Sequence, residues 1–182
     1  MRIAAALTVA LMTGVASASP LPFEVGGPFE LVDQDGKTRT AESFEGKPFM
    51  LFFGYADCQS ICTVAIPRMV ETIDLLDADG VEVQPVLITV DPARDTPEKL
   101  AEYAPMIHER LIALTGSEEA LAEARAAYRV EAEVIGEDIL GPIYAHGSFI
   151  YLMGADGEPL SLLPPILGAD QMAKIAKGRL SP

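Results

Sequence analysis

Residues 49–67 read Phe-Met-Leu-Phe-Phe-Gly-Tyr-Ala-Asp-Cys-Gln-Ser-Ile-Cys-Thr-Val-Ala-Ile-Pro, and this stretch decides both fold and chemistry. The five consecutive apolar residues 49–53 suit a strand buried on both faces. Gly54 marks a turn, and a helical segment then carries Cys58 and Cys62, the two cysteines of the chain. A buried strand that feeds a helix start implies an α/β protein.

Working outward, residues 29–32 read as a short strand entering the turn 33–36, with 37–40 returning as an N-terminal hairpin. Beyond Cys62, the apolar positions Ile66, Met69, Val70, Ile73 and Leu76 follow helical spacing, ending near Asp79-Gly80. Pro67 should bend this helix or close an irregular first turn. Residues 83–90 form the next buried strand. Asp95-Thr96-Pro97-Glu98 opens a helix that buries Leu100, Tyr103 and Ile107. A strand at 111–115 precedes a helix opened by Ser117, with Leu121, Ala124 and Tyr128 inward. Residues 130–135 suggest a further strand, and 136–147, punctuated by glycine and proline, read as a mobile loop. Strands at 149–153 and 159–163 form a closing hairpin, and a last helix covers about 170–177. Alternating strands and helices imply an α/β sandwich with a mixed sheet of about five core strands.

The N-terminus reads separately. Arg2 is followed by the apolar stretch 3–15, broken by Thr8, Thr13 and Gly14, and then by Ala16-Ser17-Ala18, the small-x-small pattern of a cleavage site. Residues 1–18 are therefore expected to be a cleaved signal peptide, residues 19–28 a flexible, exposed lead-in, and residues 29–182 one domain. No apolar run elsewhere approaches the about 18 residues of a spanning helix, so no transmembrane helix is expected in the mature chain. Removing Arg2 from the 13 basic residues leaves 12 against 27 acidic ones, a net charge of −15. Such a surface repels nucleic acid and anionic lipid, and it serves solubility.

Two cysteines in an exported chain usually form a structural disulfide. A bridge between positions 58 and 62 closes almost no loop, which favours a redox or metal role. Residues four apart on a helix share a face, so both thiols can point at one spot, where first-turn amides and the helix dipole favour thiolate. Such a pair can form an exchangeable disulfide or hold a soft metal such as Cu(I). Copper would want a third ligand, and the chain has two histidines. His108 ends a polar helix and reads as a surface residue. His146, directly before strand 149–153, stands evenly between a packing or hydrogen-bonding role and a ligand role. Met50, Met69, Met106, Met153 and Met172 fall at core-like spacings and read as packing. Asp91 and Arg94 are expected to form a local ion pair or capping network near the site, with no ligand role.

Phe53-Gly54-Tyr55, the Cys58-x3-Cys62 pair, the string Val-Asp-Pro-Ala-Arg-Asp-Thr-Pro-Glu at 90–98, and His146 followed by Tyr151-Leu152 together resemble the Sco/SenC family. These are membrane-associated copper chaperones of thioredoxin-like fold, involved in cytochrome c oxidase assembly. The likeness runs from about Phe29 to the C-terminus, and the 91–98 string is its most specific part. It implies a thioredoxin-like mixed sheet flanked by helices, with Cys58, Cys62 and His146 as metal ligands. The implied cofactor is copper, as Cu(I) with Cu(II) as a second state. Gln59 and Thr63 stand where the family usually has proline, and Ala145 where it has aspartate. That aspartate would tune the histidine from behind.

The expected function is a periplasmic metallochaperone, with peripheral membrane association as an option. It would deliver copper to a cytochrome c oxidase subunit or another acceptor without catalysing a reaction. The alternative is a thiol–disulfide oxidoreductase acting on the oxidase copper site or another exported protein, with Cys58 attacking and Cys62 resolving. A peroxidase ranks lower: such enzymes want a hydroxyl residue three positions before the reactive cysteine to help bind peroxide, as the peroxiredoxin family does, and Tyr55 is there instead. A structural zinc site also ranks lower, because three candidate ligands fall short of four.

Overall fold

The computed structural model describes residue 21 and residues 24–181; the expected signal peptide lies outside the described residues. In chain order the elements are β1 (Glu30–Asp33), β2 (Thr38–Thr40), a 3-10 turn (Ala41–Phe44), β3 (Phe49–Gly54), α1 (Cys62–Ala78), β4 (Gln84–Thr89) and α2 (Pro97–Ile107). There follow β5 (Ile112–Thr115), α3 (Glu118–Ala127), β6 (Ala132–Asp138), β7 (Gly141–His146), β8 (Ile150–Met153), β9 (Pro159–Leu163) and α4 (Ala169–Leu180).

Seven strands form one mixed sheet in the order β2-β1-β5-β4-β3-β8-β9. β3, β4 and β5 run parallel, and the neighbours added on either side are antiparallel. All six residues of β3 are buried, as an uninterrupted apolar run in a central strand requires. The sheet exceeds the five expected strands because the N-terminal hairpin docks through Val32 opposite Thr115. α1 packs on β3, β4 and α4; α2 and α3 pack towards β1 and β5. In the lead-in, expected to be exposed, Val25 is buried and the Gly26 amide donates to Ala127 O at 3.0 Å.

The largest difference from expectation is at 136–147. Instead of a loop, β6 and β7 form a separate two-stranded antiparallel sheet, pairing Ala132 with His146 at the base and Asp138 with Gly141 at the turn. The glycines and proline that suggested irregular chain occupy a register shift between Val134 and Gly136 and a turn in which Gly141 has φ +115°. Only glycine takes that backbone conformation without strain.

Candidate metal centre

Helix starts in this protein are capped in two ways. Thr96 caps α2 by accepting from the Lys99 amide, and Ser117 caps α3 by accepting from the Ala120 amide. α1 has Ile61 at that position and no side-chain cap. Its first amides make tighter, three-residue bonds, such as Thr63 N to Ser60 O at 3.1 Å. Cys58 does not lie on the helix as expected; it sits in the preceding turn, its amide donating to Tyr55 O at 3.2 Å, and α1 begins at Cys62. The two thiols therefore converge through a turn against a helix end.

Both side chains are buried, unbridged thiols. A hydrogen bond from Cys62, opposed by burial and assisted by His146 and the amides of Ser60 and Cys62, pulls Cys58 down to about 4. Of the helix's own amides it is that of Cys62, the first residue of α1, that faces this sulfur. Cys62 is pushed well above the ordinary thiol range by its hydrogen bond with Cys58, by burial, and by the Cys58 charge. The two shifts run in opposite directions, which makes Cys58 the more readily deprotonated thiol of the pair.

His146 enters from the base of the β6–β7 hairpin. Its Nε2 lies 3.5 Å from Cys62 Sγ and 4.0 Å from Cys58 Sγ, and its Nδ1 lies 2.9 Å from Gly147 O. A carbonyl can only accept, so Nδ1 carries a proton and donates to it, and Nε2 is the ring atom turned towards the sulfurs. The ring stands edge-on to Phe52 and Tyr55, with centroids at 5.8 and 5.9 Å. The three donor atoms lie within 4.8 Å of one another, and among the described residues no fourth Cys, His, Asp or Glu ligand atom joins them. On the outer side of His146 a cleft of about 510 Å³ opens, lined by Glu131, Glu133, Ser148 and Phe149 among others.

Several residues around the donors were not legible as part of the site. Gly54 is needed because a Cβ there would lie 2.9 Å from Phe52 Cε1 and 3.0 Å from Cys62 Sγ. Asp95, expected at the start of α2, is fully buried instead. It accepts from Thr89 Oγ1 at 2.6 Å and from the Ala56 amide at 3.1 Å, tying the cysteine turn to β4. Burial raises its pKa. Asp91 and Arg94 form the expected ion pair.

His108 is not at the surface as expected: its side chain is 10% exposed, with Nδ1 accepting from the Arg110 amide at 3.0 Å. It joins Asp74 and Asp77, away from the cysteines. Four of the five methionines assigned to packing are buried, whereas Met106 is 74% exposed, on the side of α2 opposite Leu100 and Ala104.

Comparison with known proteins converges on one family. The sequence model of the SCO1/SenC family matches residues 17–181. An SCO2-like protein of Rickettsia conorii is 36% identical over 140 residues, covering 75% of this chain and 68% of its own. The structure of Arabidopsis thaliana ScoI with copper bound superposes with a TM-score of 0.79 at 33% identity, covering 82% of this chain and 94% of that one. That of Bradyrhizobium japonicum ScoI with copper bound gives 0.77 at 33% identity, covering 86% and 99%. The mixed sheet with flanking helices is the thioredoxin-like fold of those structures, as the resemblance implied. With family model, relatives and fold in agreement over nearly the whole described chain, the protein belongs to the SCO1/SenC family.

Proposed function

We propose that this protein binds copper through Cys58, Cys62 and His146 and hands it to a copper site of cytochrome c oxidase during assembly. The observation that carries this reading is the approach of two sulfurs and an imidazole nitrogen, with Sγ–Nε2 separations of 3.5 and 4.0 Å. Thiolate and imidazole together suit Cu(I), a soft ion. First-row ions sit about 2.0–2.3 Å from nitrogen and sulfur, so donors around one ion stand within about 4 Å of each other. The two Sγ–Nε2 separations match those around one ion. Cys58 is the more readily ionised thiol, Cys62 loses its proton on loading, and Gly147 O holds Nδ1 so that Nε2 faces the ion. Release proceeds by ligand exchange, with donors of the acceptor replacing those of this chain one at a time through the cleft beside His146.

We infer export as part of the same reading. Residues 1–18 act as a cleaved signal, residues 29–182 form the working domain, and the site of action is the periplasm. Among the described residues no helix is long and apolar enough to cross a membrane. Anaerobic Cu(I) titration of the reduced protein and of His146→Ala tests the assignment. Stoichiometric binding that weakens in the variant is expected; no binding, or equal binding in both, overturns it.

One observation favours a second activity, the unequal pair of thiols. Cys58 as thiolate attacks a partner disulfide, the partner sulfur leaves as thiolate, and Cys62 resolves the mixed disulfide, leaving this chain oxidised and the partner reduced. Turnover with a model disulfide, lost in Cys58→Ser, is the measurement for it.

A further inference from the structure

The loop between β4 and α2 carries the most specific string of the sequence, yet it contributes none of the three convergent donors. Its Arg94 has a different occupation. Nε pairs with Asp91, a carboxylate only 1% exposed. Nη1 donates to Leu140 O at 2.7 Å and Nη2 to Pro142 O at 2.5 Å. The guanidinium carbon also sits 5.3 Å from the centre of the Tyr55 ring. Gly141, between the two accepting carbonyls, wraps over the guanidinium so closely that a Cβ would lie 3.1 Å from Nη1. A fork aimed at two carbonyls and a carboxylate is already satisfied, which argues against anion binding.

What this grip holds is the hairpin that ends in His146. Among the described residues β6 and β7 pair only with each other, and an isolated two-stranded hairpin is marginal in water. Among the described residues its ties to the rest of the protein, apart from those of His146, include the two hydrogen bonds from Arg94, one from the Tyr144 amide to Tyr55 Oη at 3.3 Å, and the Tyr144 ring edge-on to Tyr55 with centroids 5.5 Å apart. Tyr55 closes the chain of contacts, because its ring touches both the guanidinium and the imidazole.

We propose that Arg94 is the positioning residue of the metal centre: by clamping the β6–β7 turn against Tyr55 it holds His146 over Cys58 and Cys62. This rests on the reading of His146 as a ligand. Without the clamp the two sulfurs stay where α1 and its preceding turn hold them, while the imidazole is released. The site then falls from three protein donors towards two.

The test is anaerobic Cu(I) competition against a chromogenic chelator, using wild type, Arg94→Met, Arg94→Lys, His146→Ala and the double variant Arg94→Met/His146→Ala. Arg94→Met is expected to bind about 10- to 100-fold more weakly, the range for partners that orient a ligand. Arg94→Lys recovers only part, since one ammonium can meet Asp91 but not both carbonyls. The double variant binds no more weakly than His146→Ala alone, because the clamp acts only through that residue. Unchanged affinity in Arg94→Met, or additive losses in the double variant, overturns the proposal. If Arg94→Met does not fold, Gly141→Ala perturbs the same contact from the hairpin side and is expected to weaken binding in the same direction; unchanged affinity there overturns the proposal. The His146 imidazole resonances of the metal-free protein separate the two readings. A shift in Arg94→Lys supports positioning even if His146→Ala binds copper normally, and unmoved resonances overturn positioning even if His146 is a ligand.

Discussion

The two ends of α1 each carry three side chains of metal-binding type. At the N-terminal end Cys58, Cys62 and His146 are buried or half-buried; at the other, Asp74, Asp77 and His108 lie in and beside the last turns. The helix dipole favours negative charge at the first end and opposes it at the second. The neighbouring Cys62 thiol and the amides of Ser60 and Cys62 favour the thiolate of Cys58. The carboxylates at the far end are answered by basic side chains instead, Asp77 by Arg110 and the following Asp79 by Lys177. The histidines differ in the same sense. His146 has its proton on Nδ1 and offers Nε2, whereas His108 accepts at Nδ1, so its Nε2 carries the proton and faces Asp74 at 3.8 Å. Donor type alone does not distinguish the two ends; the pairing of carboxylates with basic side chains at the second does.

Replacing a thiol tests that contrast most severely. Cys58→Ser or Cys62→Ser should lower Cu(I) affinity beyond the roughly 100-fold upper range for outer partners, and a chelator competition showing undiminished affinity would remove the N-terminal end from the chemistry. Gly54→Ala comes next. The added methyl meets Phe52 and Cys62 Sγ, so denaturant unfolding should record a loss of about 1–3 kcal/mol. A stabilised variant would mean the thiol has room to move.

The pH dependence of the metal-free protein sharpens the electrostatic half of the comparison. A thiol with a depressed folded pKa contributes stability above its unfolded pKa and loses it as pH falls through the folded one. For Cys58 stability should rise from about pH 4 towards the about 8.5 of an unfolded thiol. The raised Cys62 reverses the slope above that value. Unfolding curves across this window should flatten on their acid side in Cys58→Ser, and an unaltered slope contradicts the thiolate assignment. The smallest effect is at the far end. His108→Ala should leave copper affinity within about twofold and cost about 1 kcal/mol for its hydrogen bond to the Arg110 amide. A large copper effect there would erase the distinction between the two ends.

Residues 49–53 and 83–90 were legible as strands because a run buried on both faces needs no partner information to be recognised. The hairpin at 132–146 was not, because all but the first residue of β6 is exposed and its glycines mark a register shift and a turn. The four-residue spacing of the cysteines suggested one helix face, and the uncapped start of α1 shows why a turn serves instead. The approach of His146 to residues 84 and 88 positions away is invisible to periodicity, and only the family resemblance pointed to it. Arg94 was readable as a partner of Asp91 three residues away, but its reach to Leu140 and Pro142 depends on how the hairpin folds back.

The missing side-chain cap on α1 has a practical consequence. With Ile61 at that position, the sulfur of Cys58 is the acceptor that the first amide of α1, that of Cys62, faces. Alkylating that sulfur, the usual way of implicating a thiol, removes the negative charge and inserts bulk at the helix start. Loss of function after such labelling would report fraying of the first turn together with loss of a donor. Serine at position 58 keeps an acceptor of similar size there, so the serine variant, compared with the alkylated protein by helix content, separates the architectural share of this sulfur from its chemical one.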